Sequence, residues 1–361
     1  MTQTLALFFD AYRDLNSRKL FWVTLSISVA LVLALALFGV DADGISFLRW
    51  HWDVYEPQFY YRAVILLGFV IGLWLSWGAV ILALVSTAGI FPDLIAGGAI
   101  DLYLSKPMSR LRLFLTKYFT GLLFVGLQLA LFCGGCFLVV GLRAHEWRPS
   151  LFLAIPLLLL LFSYIFAFCV LLGVWTRSTI AALLLGILLW LCCSGVQITE
   201  QTLHTFRTGL ERTIDRTERD IRAIDARKPA GGFFDFQAGL EKKRREMQVQ
   251  KVSELRSSLG TFRLMHNIFI GLEAVVPKTR ETNDLLDRWL ISDNEVIDSQ
   301  ESLRHGGPAP FGIDYHDLAD ASTEVKLQSR HRSPAFILGS SLACEAIVVS
   351  LAAWIFCRRD Y

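Results

Sequence analysis

Charge is scarce in this chain. Only 19% of its 361 residues are Asp, Glu, Lys or Arg, and 54% are apolar. A soluble domain carries about 25% charge and less apolar bulk. The mean hydropathy of +0.47 points the same way. The composition excludes an ordinary soluble enzyme and reads as an integral membrane protein. A net charge of +2 is too small to suggest nucleic-acid binding. Cysteine is missing from the polar stretch 197–333: Cys133, Cys136, Cys169, Cys192, Cys193, Cys344 and Cys357 all fall in apolar runs. That stretch is therefore no disulfide scaffold, even in an oxidising compartment.

Signature motifs are missing too. There is no GxxxxGK[ST] phosphate loop, so the chain is expected to bind no nucleotide cofactor of its own. There is no HExxH and no GxSxG, and no catalytic residue is assigned. The seven histidines are scattered, with no two at the i, i+4 spacing of a helical metal site, so no metal centre is expected. No internal repeat or low-complexity tract is present. A polar start precedes a first apolar run long enough to span, so no cleavable signal peptide is expected.

What is present is a series of six apolar runs: 20–39, 63–85, 113–141, 151–175, 179–196 and 334–356. A hydrocarbon core of ~30 Å needs about 20 helical residues, and each run is near that length. The expected fold is all-α and polytopic, with six transmembrane helices. The third run is long, so its first turns lie outside the bilayer or it tilts. Residues 1–19 place Leu5, Phe8, Phe9, Tyr12 and Leu15 at helical spacing. They read as an interfacial amphipathic helix, the alternative being a solvated lead-in.

Lys and Arg in the short loops set the orientation. Arg13, Arg18 and Lys19 precede the first run; Lys106, Arg110, Arg112 and Lys117 lie around the start of the third. Arg177 follows the fourth, and Arg358 and Arg359 close the chain. The other side has Arg49 and Arg62, diluted by Asp41, Asp43, Asp53 and Glu56, with Arg143 and Arg148 after the third run. This bias puts both termini and the 90–112 loop in the cytoplasm. Trp50, Trp52, Tyr55, Tyr60, Tyr61 and Trp147 then read as an outer aromatic belt.

The insert 197–333 is expected outside. Its first half shows two helical stripes, Leu203–Phe206–Leu210–Ile214–Ile221–Ile224 and Leu240–Met247–Leu255–Leu259–Phe262. Pro229, Gly231 and Gly232 break the chain between them, which predicts an antiparallel hairpin continuing the fifth span. One apolar position per turn is thin, so the hairpin needs a further surface, which a second copy could supply. Residues 264–276 are apolar but too short to span and read as an interfacial segment. Residues 281–291 read as a short amphipathic helix, and 292–333 mostly as loop, with a helix near 315–328.

Two intramembrane features stand out from the apolar background. Cys133-Gly134-Gly135-Cys136 matches C-x-x-C, but its apolar helix setting favours simple packing over redox chemistry. Glu345 falls near the middle of the last span, where a carboxylate is costly. It is either a pathway or gating residue or a hydrogen-bonded helix contact, with Gln128 or Ser194 as partner.

The stretch 90–118 interleaves Leu94, Ile95, Ile100, Leu102 and Leu104 with Gly97, Gly98 and Pro107. A merely solvated basic loop would not need these apolar residues. The pattern predicts a short helix, a break at Pro107 and a helix re-entering as the third span. Leu104-Ser105-Lys106-Pro107-Met108-Ser109-Arg110, preceded by Gly97 and Gly98 and followed by Lys117-Tyr118, resembles the permease subunits of ABC-2-type transporters, the NosY-like group. Residues 275–286, VVPKTRETNDLL, resemble a Pro-containing segment such permeases carry before their last span. The opening, with Arg18, Lys19, Phe21 and Trp22, fits as well. The family's acidic residue before the glycine is Ala96 here, with Asp93 and Asp101 flanking.

The resemblance implies a permease dimer, homo- or heteromeric, each copy docked on a separate ABC ATP-binding subunit that holds ATP and Mg. It implies a cytoplasmic coupling segment at 88–112, with Asp93, Leu94, Gly97, Gly98, Asp101, Leu104, Lys106, Pro107 and Arg110 at the docking surface. It implies a bacterial plasma (inner) membrane and, by family default, export. The competing reading is a non-transporting membrane scaffold or sensor whose outer hairpin binds a partner protein. The expected domains are the interfacial helix 1–19, spans 20–196, the insert 197–333, and a last span with its tail, 334–361.

Overall fold

The computed structural model describes residues 13, 19–40, 44–47, 50–53, 74, 77–96, 109–143, 147, 149–226, 235–290 and 313–359. The chain divides into two units. One comprises residues 1–193, 277–291 and 334–361, and the other 194–276 and 292–333.

The first unit is a helical bundle. It opens with α1 (Lys19–Ala36). A three-stranded antiparallel sheet follows, β1 (Phe38–Val40), β2 (Gly44–Phe47) and β3 (Trp50–Asp53), in sequential order. Gly39 pairs with Ser46, and Ile45 with Trp52. In this small meander the backbone after the first run pairs with itself, and the other regular elements among the described residues are helical. Then come α2 (Val80–Thr87), α3 (Ile90–Ala96) and the long α4 (Arg110–Arg143). A 3-10 turn at Pro149–Leu153 leads into α5 (Ala154–Thr176). The first turns of α6 (Thr179–Ala226), then α8 (Thr279–Leu290) and α10 (Pro334–Arg358), complete the unit.

Five helices among the described residues are long and apolar enough to cross a membrane: Trp77–Ile95, Arg110–Arg143, Pro149–Thr176, Thr179–Ala226 and Pro334–Arg358. The region of the first expected run carries a shorter apolar helix, Trp22–Ala36. After the described part of the second run comes α3, the short helix expected in the stretch 90–118, and its Ile90, Phe91, Leu94 and Ile95 are buried. The long third run is helical over 34 residues, about 51 Å at 1.5 Å per residue. That exceeds the hydrocarbon core, as its length predicted.

The bundle is centred on α5, which packs against α2, α3, α4, α8 and α10. Phe91, Phe114, Phe162, Phe166 and Phe356 are fully enclosed. Phe91 lies 4.9 Å from Phe114 and 6.2 Å from Phe356, so α3, α4 and α10 meet around one aromatic cluster. Outward faces are apolar too. Phe119, Leu123, Leu127, Leu131, Leu138 and Leu142 form an exposed row along α4, at four- and seven-residue steps. Ile180, Leu184, Leu188 and Leu191 do the same on α6. Such rows are untenable in water and fit lipid. The protein is membrane-embedded.

The second unit contains the rest of α6, α7 (Asp235–Val275) and α9 (Tyr315–Arg330). The predicted hairpin is there. Asp225 meets Arg245, Glu218 meets Arg256, Glu211 meets Arg263 and Glu200 meets His266, so numbers fall on one helix as they rise on the other. Leu210, Ile214, Val252 and Leu255 form its small core. Two expectations change. Residues 264–276 do not form a separate element, since α7 runs on through Val275. The stripe does not depend wholly on a second copy: Ile313 joins its core and Leu318 packs on it. Arg212 and Arg216 bind α9 carboxylates at Glu324 and Asp317. Asp314 caps α9 by accepting from the His316 N–H.

Candidate functional site: a carboxylate among three spanning helices

Glu345 sits on α10, facing α4 and α5. The Tyr118 hydroxyl on α4 donates to its Oε1 at 2.8 Å. The Ser163 hydroxyl on α5 donates to its Oε2 at 2.9 Å. Both donors are themselves buried. Each carboxylate oxygen thus has one partner from a different helix, which is how a polar group is tolerated inside a bundle. Neither expected partner, Gln128 or Ser194, is one of these donors. Tyr118 stacks on Phe166 at 5.3 Å, which fixes its ring against α5. The sequence does not point to Tyr118 and Ser163 as partners, because 227 and 182 residues separate them from Glu345.

Gln128 faces a different place. It lines a cavity with Thr24, Ser28, Trp74, Phe132 and Phe162. Its Nε2 and the Trp74 Nε1 are both buried with no hydrogen-bond partner among the described residues. Two orphan donors in one cavity make it suited to a group rich in acceptor oxygens.

One end of the bundle is laced by arginines. Arg110, at the start of α4, donates from Nη1 to the carbonyls of Cys357 at 3.4 Å and Arg359 at 2.8 Å. Arg359 in turn donates to the carbonyls of Val174 at 2.8 Å and Trp175 at 3.0 Å. These carbonyls are the ones helix ends leave unsatisfied, and α10 and α5 end here. Arg177 ends α5 in the left-handed conformation, φ 56°, with its N–H on the Gly173 carbonyl. At the same end Thr179 donates to Asp93 at 3.3 Å.

The expected docking residues divide. Asp93 is exposed at the start of α3, whereas Leu94 is buried in the core. Arg110 is engaged as above. Gly97, Gly98, Asp101, Leu104, Lys106 and Pro107 lie outside the described residues, as does most of the N-terminal segment. The VVPKTRETNDLL segment is placed. The Lys278 N–H donates to Ser341 Oγ at 3.0 Å, its Nζ lies 4.2 Å from the Phe336 ring centre, and Leu285 and Leu286 bury α8 on the bundle. The Cys133 and Cys136 side chains are buried packing residues. In the second unit, Glu200, His204 and His266 come together as potential metal ligands. A search for histidine pairs alone misses the i, i+4 spacing of Glu200 and His204.

No family model matches this chain, and no curated protein or solved structure matches it.

Proposed function

We propose that this chain is the membrane-spanning permease subunit of an ABC-2-type transporter, working with a separate ATP-binding subunit and a second permease copy. The observation that carries the reading is the Arg110 lacing. Arg110 closes the Leu104–Arg110 pattern, and its guanidinium ties the start of α4 to the end of α10. Arg359 extends the tie to α5. A push on the segment before α4 therefore moves three helix ends together. Glu345 lies on α10 twelve residues before Cys357 (357 − 345), about 18 Å along the helix. Its donors Tyr118 and Ser163 sit on the other two tied helices. A displacement that slides α10 against α4 and α5 breaks or remakes those bonds, a two-state element that a partner can bias.

On this reading the ATP-binding subunit docks at Asp93 and the segment that follows it, on the cytoplasmic side. The chain sits in a bacterial plasma membrane with both termini cytoplasmic, six spans and the helical insert outside. Cargo leaves through a path at the permease–permease boundary. The test replaces Arg110 with Ala in the reconstituted complex. Uncoupling is expected: ATP hydrolysis persists while transport falls. Unchanged transport would contradict the reading.

The scaffold reading has one observation in its favour. Leu264, Met265, Ile268, Ile270 and Leu272 leave the last turns of α7 apolar and uncovered. A partner protein bound there in a complex with no ATP-binding subunit supports it.

A further inference from the structure

We infer that Glu200, His204 and His266 form a binding site for a divalent transition-metal ion of the Zn2+ class, stapling the two arms of the hairpin. Glu200 and His204 stand one turn apart on α6, and His266 comes from α7. Positions i and i+4 of a helix share a face, so both α6 groups turn toward the same side. The ligand atoms of all three lie within 4.8 Å of one another. Three donors around a tetrahedral ion with bonds of about 2.0–2.1 Å stand roughly 3.3 Å apart. His266 Nε2 and Glu200 Oε1 are already at 3.1 Å. The rings of His204 and His266 are stacked, 7° apart in plane and 4.9 Å between centres, so one ring must turn out of the stack for both nitrogens to face one ion.

The simplest competing account is a hydrogen-bonded pair. Arg207 Nη1 lies 3.2 Å from His266 Nδ1. Arginine only donates, so Nδ1 accepts, and Nε2 carries the proton that Glu200 accepts. That account satisfies His266 and Glu200, both buried. It leaves His204 unexplained. Its imidazole is half-buried, stacked on His266, and makes no hydrogen bond among the described residues. A third ligand is what its position supplies. Two imidazoles and one carboxylate suit a borderline ion such as Zn2+, Co2+ or Fe2+, not Ca2+ or Mg2+, which prefer all-oxygen shells.

Metal binding has a defined proton cost. The ion takes the Nε2 lone pair of His266, and the proton moves from Nε2 to Nδ1. Arg207 cannot accept it and turns wholly to Glu211, its partner at 3.2 Å. Arg207 therefore opposes the ion twice, as a misplaced donor and as a like charge. Replacing it with Gln, whose carbonyl can accept from Nδ1–H, should tighten binding. This consequence separates a metal site from a purely structural network.

The experiment uses the full-length protein in detergent and titrates Zn2+ by calorimetry, with Co2+ as a visible-absorption probe. One ion per chain is expected, with a rise in melting temperature. His204→Ala removes a ligand itself and should weaken binding by at least the about tenfold that loss of a mere outer-shell partner costs. That variant removes no hydrogen bond among the described residues and should fold. Arg207→Gln should tighten binding several-fold. No saturable binding, or binding that survives His204→Ala on cysteine thiols, overturns the site. So does binding that Arg207→Gln weakens.

Discussion

At the scale of residues, the decisive group is Glu345. Replacing it with Ala removes both bonds and leaves the Ser163 hydroxyl only the Leu160 carbonyl at 2.8 Å and the Tyr118 hydroxyl only the long contact to the Ser163 carbonyl at 3.5 Å. A buried donor stripped of its partner costs about 1–3 kcal/mol. Glu345→Ala should lower the melting temperature in detergent modestly, leave assembly intact and lower transport. Glu345→Gln keeps an acceptor and should recover most of the stability. If it also recovers transport, the carboxylate is a helix contact; if it does not, ionisation or ion binding at Glu345 is part of the cycle. The glycines of α4 make a second comparison. A Cβ at Gly121 would meet Phe166 at 3.0 Å and Ile90 at 3.2 Å, whereas one at Gly134 would meet nothing within 4 Å. Gly121→Ala should destabilise by pushing α3 and α5 away. Gly134→Ala should be neutral or stabilise by up to ~1 kcal/mol, since it relieves the helix cost of glycine. Thermal shift in one detergent reads both.

At the scale of elements, the hairpin rests on its small core more than on its many ion pairs. Leu210 is fully buried and Val252 nearly so. Leu210→Ala should cost about 2–5 kcal/mol, while Glu218→Ala, removing an exposed pair with Arg256, should cost less than ~1 kcal/mol. Glu211 lies beyond the apolar part of α6. Burial opposes its ionisation, but hydrogen bonds from Arg263 and Arg207 outweigh this and hold its pKa below the ordinary 4.5. Its folded pKa is depressed, so its contribution is full above pH 4.5 and is lost as pH falls through the lower, folded value. Helicity of the insert should therefore fall in acid, and Glu211→Gln should flatten that part of the limb. Circular dichroism against pH checks this.

The elements were also where the sequence was most legible. Runs of apolar residues marked the spans, and the 3.6-residue stripes with Pro229, Gly231 and Gly232 marked the hairpin. The meander at 38–53 was not legible, because strands of three and four residues are too short to show a period. The continuation of α7 through Val275 was hidden by a change from amphipathic to uniformly apolar composition. The partners of Glu345 were hidden by sequence distance. The Glu200–His204–His266 cluster was hidden because no single helix carries it.

At the scale of the whole molecule, the chain joins two physical problems. The apolar rows on α4 and α6 need lipid or another apolar helix. The hairpin, by contrast, has a small apolar core edged by ion pairs between its arms. A membrane bundle whose helix ends are tied through Arg110 and Arg359 can pass a displacement inward to Glu345. The chain carries no GxxxxGK[ST] loop to drive such a displacement with its own nucleotide. On the proposed reading, a separate ATP-binding subunit supplies that work. The most direct test is native purification of the full-length protein from its host membranes in mild detergent, with every co-purifying chain identified and quantified by mass spectrometry. The account predicts an ABC ATP-binding subunit in stoichiometric amount. Recovery of an intact, folded complex without one would contradict it.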